Sequence, residues 1–120
     1  MKLNHIDLQV PDVQETAQFF ERHFAFKLLT APTAKNIAVL HDEEGFSLVL
    51  QKSKRQDEVY PEGFHIGFVL DDVEQVYSMF NRLKGEGVQV GEVLVNNRGT
   101  MFYFKIPGDV LVEISANKKM

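Results

Sequence analysis

"HIDLQVPDVQETAQFF", residues 5–20, and "HIGFVLDDVEQVYSMF", residues 65–80, follow one pattern 60 residues apart. The opening histidine, the isoleucine after it, one aspartate, the valine after that and the final phenylalanine all coincide. In each copy an apolar/polar alternation of strand period runs into an aspartate suited to cap a helix. Asp12 with Glu15, and Asp72 with Gln75, make capping-box spacings. Val13, Ala17, Phe20 and Phe24 then recur at helical spacing, as do Val73, Val76/Tyr77, Phe80 and Leu83. Coincidences at capping and core positions mark an internal duplication.

Outward from the two copies, each repeat continues with strands. The first strand runs Leu3 to Val10. Lys27–Leu29, Asn36–His41 and Phe46–Lys52 follow the first helix, with a turn at residues 42–45. The second helix ends around residues 84–87. Val88–Val95, Thr100–Ile106 and Val110–Ser115 come after it, with turns at residues 96–99 and 107–109. Between the repeats lies a polar stretch with one proline and one glycine, which reads as a linker. The expected fold is α+β: paired βαβββ modules forming a curved mixed sheet around a trough, with helices on the outer face. A single domain, residues 1–120, is expected, with module one about 1–53, a linker at 54–62 and module two about 63–120.

Composition excludes several functions. Ten phenylalanines and an apolar share of 44% are enough for a real core, and 13 basic against 17 acidic residues give a net charge of −4. The only basic cluster, Lys52-Ser53-Lys54-Arg55, has no aromatic platform beside it, so nucleic acid is not the expected partner. The absence of cysteine rules out disulfide and thiolate chemistry. The polar N-terminus does not read as a signal peptide, and no apolar run reaches the roughly 20 residues that span a bilayer. A soluble, cytoplasmic protein is expected.

Strand parity selects the candidate chemistry. Ile6, Leu8 and Val10 share one face, which puts His5, Asp7 and Gln9 on the other. Ile66, Phe68 and Leu70 likewise put His65 on the opposite face, and Val110, Val112 and Ile114 do the same for Glu113. If each helix buries one sheet face, His5, His65 and Glu113 all project from the other, into the expected trough. Two imidazoles and a carboxylate make a facial set with open coordination positions, suited to Mn²⁺, Fe²⁺, Zn²⁺ or Ni²⁺ acting on adjacent substrate oxygens.

Paired βαβββ modules, a histidine opening each, and "PGDVLVEIS" at 107–115 together resemble the vicinal oxygen chelate superfamily. That superfamily includes glyoxalase I, fosfomycin-resistance thiol transferases, extradiol dioxygenases and bleomycin-resistance proteins. The resemblance covers essentially the whole chain and implies that His5, His65 and Glu113 fall on metal-ligand positions. It also implies a small-molecule substrate or antibiotic and a homodimer in which His5 faces His65 and Glu113 of the other subunit. Two departures stand out. Ile106 occupies the place of the family's acidic residue before the proline. Val49 occupies the place of a fourth ligand used by glyoxalase I, with Gln51 on the same strand face as the alternative.

Within this resemblance Glu113 and Tyr103 are candidate catalytic groups, Tyr103 in the manner of dioxygenase residues that handle the catechol proton. Val49, Gln51, Arg98 and Lys105 are candidate substrate contacts, the last two for an anionic ligand of the fosfomycin type. The implied activity is a metal-dependent lyase, thiol transferase or dioxygenase. Metal-free sequestration of a ligand, as in bleomycin-resistance proteins, stays open as the alternative. His23, on the first helix, reads as a packing or surface residue, and the direction of His41 is left open by parity.

Overall fold

A computed structural model describes residues 1–55 and 57–118. Two compact units emerge, one from residues 1–59 with 107–109, the other from residues 60–106 and from 110 onward. Each contains one helix and a four-stranded mixed sheet, the α+β arrangement expected of a βαβββ module.

In the first unit, β1 (His5–Val10) leads into α1 (Val13–Phe24), followed by β2 (Lys27–Leu28), β3 (Ile37–His41) and β4 (Ser47–Lys52). Asp12 starts the helix by accepting from the Glu15 N–H at 3.1 Å, which satisfies one of the donors a helix start leaves unpaired. At the other end Ala25 takes a left-handed conformation with φ 57°, a position usually given to glycine. The sheet order is β1-β4-β3-β2, with β1 and β4 parallel and the other pairs antiparallel. Leu8, Val10, Ala38, Leu40, Leu48 and Leu50 are buried beneath Val13, Ala17 and Phe20 of the helix. Each such Leu or Val contributes about 1.5–3 kcal/mol by leaving water. Phe24 is only half-buried, and the fourth turn of the stripe is taken by buried His23, whose ring lies 4.5 Å from that of Phe19. Residues 107–109 join this unit, with Pro107 O accepting from Thr16 Oγ1 at 3.0 Å.

The second unit repeats the plan: β5 (His65–Leu70), α2 (Val73–Gly85), β6 (Leu94–Asn96), β7 (Gly99–Lys105) and β8 (Leu111–Asn117). Its order β5-β8-β7-β6 is the order of the first sheet. Asp72 accepts from the Gln75 N–H at 2.9 Å, and Gln75 Oε1 accepts from the Asp71 N–H at 2.9 Å. The reciprocal cap thus closes one residue earlier than a standard capping box. Phe102, Val112, Ile114, Val76 and Leu83 form the core, with the Phe80 ring edge-on to Phe102 at 5.4 Å.

Two expectations change here. Val73 and Tyr77 are exposed, so α2 buries a narrower stripe, centred on Val76 and Leu83. The strand expected over 88–95 shrinks to β6 and one bridge between Val90 and Phe104. At Gly91 the chain approaches β7 closely: its N–H donates to Tyr103 O at 2.8 Å, and an added Cβ would stand 3.2 Å from that oxygen. That bond is the pairing contact of the Val90–Phe104 bridge, and the missing Cβ lets the two backbones meet there.

Candidate functional site

Registered strand pairs share a face, so the sheets fix which side chains travel together. In the first unit His5 pairs with Ser47, and Ser47 with His41, placing His41 in the row of His5 and settling its direction. The next row is Asp7, Val49 and Val39, and the next Gln9, Gln51 and Ile37. α1 packs against β2, β3 and β4, and its contacts lie with the buried leucines, leaving the His5 face free of the helix.

Asp7 is the organised group on that face. Gln9 Nε2 donates to Asp7 Oδ1 at 2.9 Å, and Gln51 Nε2 donates to Asp7 Oδ2. Gln51, the alternative for a fourth ligand, is therefore engaged with a carboxylate on β1. Val49, directly opposite Asp7 in the ladder, keeps a half-buried apolar side chain.

The second unit assembles the denser cluster. Tyr103 on β7 pairs directly with Glu113 on β8, and its hydroxyl donates to Glu113 Oε2. That hydrogen bond, burial and the neighbouring negative charge raise the Tyr103 phenol above its ordinary range, while Arg98 pulls it down. Arg98 Nη2 also lies 3.8 Å from Met101 Sδ, and Tyr103 Oη lies 3.9 Å from the same sulfur. The His65 ring stands edge-on to Tyr103 with centroids 6.0 Å apart. Opposite Glu113 in the parallel ladder is Gly67, which leaves the space beside the carboxylate open.

His65 is also oriented. Its Nδ1 lies 2.9 Å from Gly63 O. A carbonyl only accepts, so Nδ1 carries the proton in the neutral ring and Nε2 presents its lone pair. This backbone-held tautomer is the form in which an imidazole ligates a metal. Lys105, exposed on the same strand face as Tyr103, lines a groove of about 820 Å³ with Val90, Gly91, Tyr103 and Leu111.

Of the eight candidate positions, the structure brings His65, Glu113, Tyr103 and Arg98 together and sets Lys105 on the same strand as Tyr103. His5, Val49 and Gln51 share the corresponding face of the other sheet. Among the described residues, no three His, Asp or Glu side chains gather as a metal-holding cluster within one chain. The donor chemistry itself, imidazole nitrogens with carboxylate oxygen, fits Mn²⁺, Fe²⁺, Zn²⁺ or Ni²⁺. The Asp7 clamp is the feature the sequence shows least, because a glutamine two residues away and another on a different strand carry no motif. Among the described residues, no helix is long and apolar enough to cross a membrane.

The architecture and these faces define a class. Residues 2–114 match the model of the Glyoxalase/Bleomycin resistance protein/Dioxygenase superfamily, and the chain belongs to that family. Among solved structures it is similar to a possible glyoxalase from Bacillus cereus, with 32% identity, a TM-score of 0.84, and coverage of 96% of this chain and 98% of the other. It also shares its fold with a fosfomycin resistance protein from Listeria monocytogenes (24% identity, TM-score 0.76, coverage 98% and 94%). A lactoylglutathione lyase from Agrobacterium tumefaciens has the same fold (17% identity, TM-score 0.77, coverage 96% and 92%). No protein of curated function matches the chain in sequence.

Proposed function

We propose that the protein is a divalent-metal-dependent enzyme acting on a small oxygenated molecule, with His5, His65 and Glu113 as the metal ligands. The observation that carries this reading is the preparation of His65: its Nδ1 is committed to Gly63 O, so Nε2 is offered on the face where Glu113 stands. Members of the superfamily bind small-molecule substrates, and the relatives named above span lyase and antibiotic-resistance chemistry. The proposed donor set draws one histidine from the first sheet and a histidine and a carboxylate from the second. In our reading His5 of one protomer works with His65 and Glu113 of the partner subunit in a homodimer.

When bound, the cation acts as a Lewis acid on adjacent substrate oxygens. The chain's own groups divide the remaining work. Tyr103 orients Glu113 through its hydroxyl and holds a proton at Oη beside the ligand space. Arg98, next to that phenol, supplies positive charge to an anionic or oxygen-rich substituent, with Lys105 farther along the groove. Val49 and Val39 give the first sheet an apolar contact surface in the row of Asp7.

Equilibrium dialysis of chelator-stripped protein against Mn²⁺, Fe²⁺, Zn²⁺ and Ni²⁺ tests the proposal. One ion per chain is expected in the wild type, lost in His65→Ala and in Glu113→Gln. Failure to take up any of the four would sink it. The Lys105 groove favours one other reading, metal-free sequestration of a ligand. On that reading ligand affinity is unchanged by EDTA, and loss of binding in EDTA counts against it.

A further inference from the structure

We propose that the substrate carries a second group, a carboxylate about 10 Å from its reacting oxygens, which Lys105 and Lys84 hold along an apolar groove. This inference rests on the reading that the reacting oxygens sit at His65 and Glu113, and it names the class of molecule that reaches them.

The register of the second sheet sets the distance. His65 on β5 pairs with Leu111 on β8, and Leu111 pairs with Lys105 on β7. The three share one face and one row. The imidazole and the ammonium therefore leave the sheet two strand spacings apart, with a half-buried leucine between them. Glu113 and Tyr103 stand in the neighbouring row.

The groove of about 820 Å³ is lined by Leu111, Tyr103 and Lys105 at the sheet and by Lys84 from the last turn of α2. Val88 and Val90, both half-buried, add an apolar wall. The lining holds two lysines and no aspartate or glutamate, in a chain whose net charge is −4. Among the described residues neither ammonium is in an ion pair. That of Lys84 lies 5.6 Å from the centre of the Phe80 ring. An apolar groove with uncompensated positive charge complements an anion on an apolar stem.

The helix end decides which anion. Lys84 belongs to the C-terminal turn of α2, where the partial negative charge of the last carbonyls disfavours a dianionic phosphate. Neither an arginine nor a helix N-terminus lines the groove, and these are the features that bind phosphate most selectively. A singly charged carboxylate is the fit.

The test compares two linear hydroxamates on the Zn²⁺-loaded full chain by titration calorimetry. Octanohydroxamate ends in a methyl group, and suberic acid monohydroxamate has the same chain length but ends in a carboxylate. Both bring two adjacent oxygens to the metal, so only the far end differs. Wild type is expected to bind the carboxylate-ended compound about three- to fivefold more tightly, an advantage that shrinks in high salt. The ratio is expected to fall to about one in Lys105→Gln and to an intermediate value in Lys84→Gln. Equal affinity for the two compounds in the wild type, a preference kept in Lys105→Gln, or no binding of either to Zn²⁺-loaded protein would overturn the remote carboxylate and leave the metal reading standing. A wild type that takes up no Zn²⁺ would overturn both.

Discussion

The contact between Tyr103 and Glu113 offers a quantitative prediction, because one hydroxyl on β7 serves one carboxylate on β8. A hydrogen bond to a charged group contributes about 1.5–3 kcal/mol when water is excluded. Both side chains here are only half-buried, so water replaces the lost hydroxyl at the carboxylate, and the coupling falls to about 1 kcal/mol. A double-mutant cycle of Tyr103→Phe and Glu113→Gln, followed by urea unfolding, measures it. In a chain of this size 1 kcal/mol corresponds to roughly 3–6 °C in Tm. Tyrosinate absorbance gives a second readout, with Tyr103→Phe subtracting the signal of Tyr60 and Tyr77. The Glu113 hydrogen bond and charge raise the Tyr103 phenol and Arg98 lowers it. Glu113→Gln should therefore bring its titration down in pH, and Arg98→Ala should move it up. A coupling below about 0.3 kcal/mol, the ordinary error of additivity, together with an unmoved titration, would refute the contact as the organiser of this face.

The same raised phenol has a consequence for stability. Its contribution is fully present below the ordinary tyrosine value of about 10 and is lost as pH rises through the folded-state value, so wild type should lose more stability than Tyr103→Phe in that alkaline window. Gly99→Ala should destabilise by more than about 3 kcal/mol, since its Cβ would stand 2.1 Å from Ala116 O at a φ of +146°. Gly45→Ala is the control: its φ is +85° but nothing lies within 4 Å, so only about 1 kcal/mol of backbone strain is expected in thermal melts. Ala25→Gly should stabilise by about 0.5–1 kcal/mol, because it relieves the left-handed residue that ends α1.

Much of the fold was legible because it is written twice. Asp12 and Asp72 cap as their spacing indicates, and strand parity assigned His5, His65, Tyr103 and Glu113 to faces that the registers reproduce. Parity was silent on other points for physical reasons. It tells which face a side chain leaves from, not which groups bond there, so the clamp of Gln9 and Gln51 on Asp7 had no signature. Hydrophobic spacing overstated the buried face of α2, where Val73 and Tyr77 remain in water. Of the strand expected over 88–95, only the Val90–Phe104 bridge, closed by the Gly91 N–H on Tyr103 O, and the start of β6 are present.

The central claim is that imidazoles from both modules hold one ion, and histidine ¹⁵N NMR during Zn²⁺ titration tests it most directly. The metal-free spectrum should show His65 protonated at Nδ1, as its bond to Gly63 O requires. On adding Zn²⁺, the Nε2 resonance of His65 and one ring nitrogen of His5 should shift together and saturate at the same stoichiometry. His23, buried beside Phe19, should not move. Shifts of His5 and His65 with different midpoints, or no shift of either at excess Zn²⁺, would contradict the account.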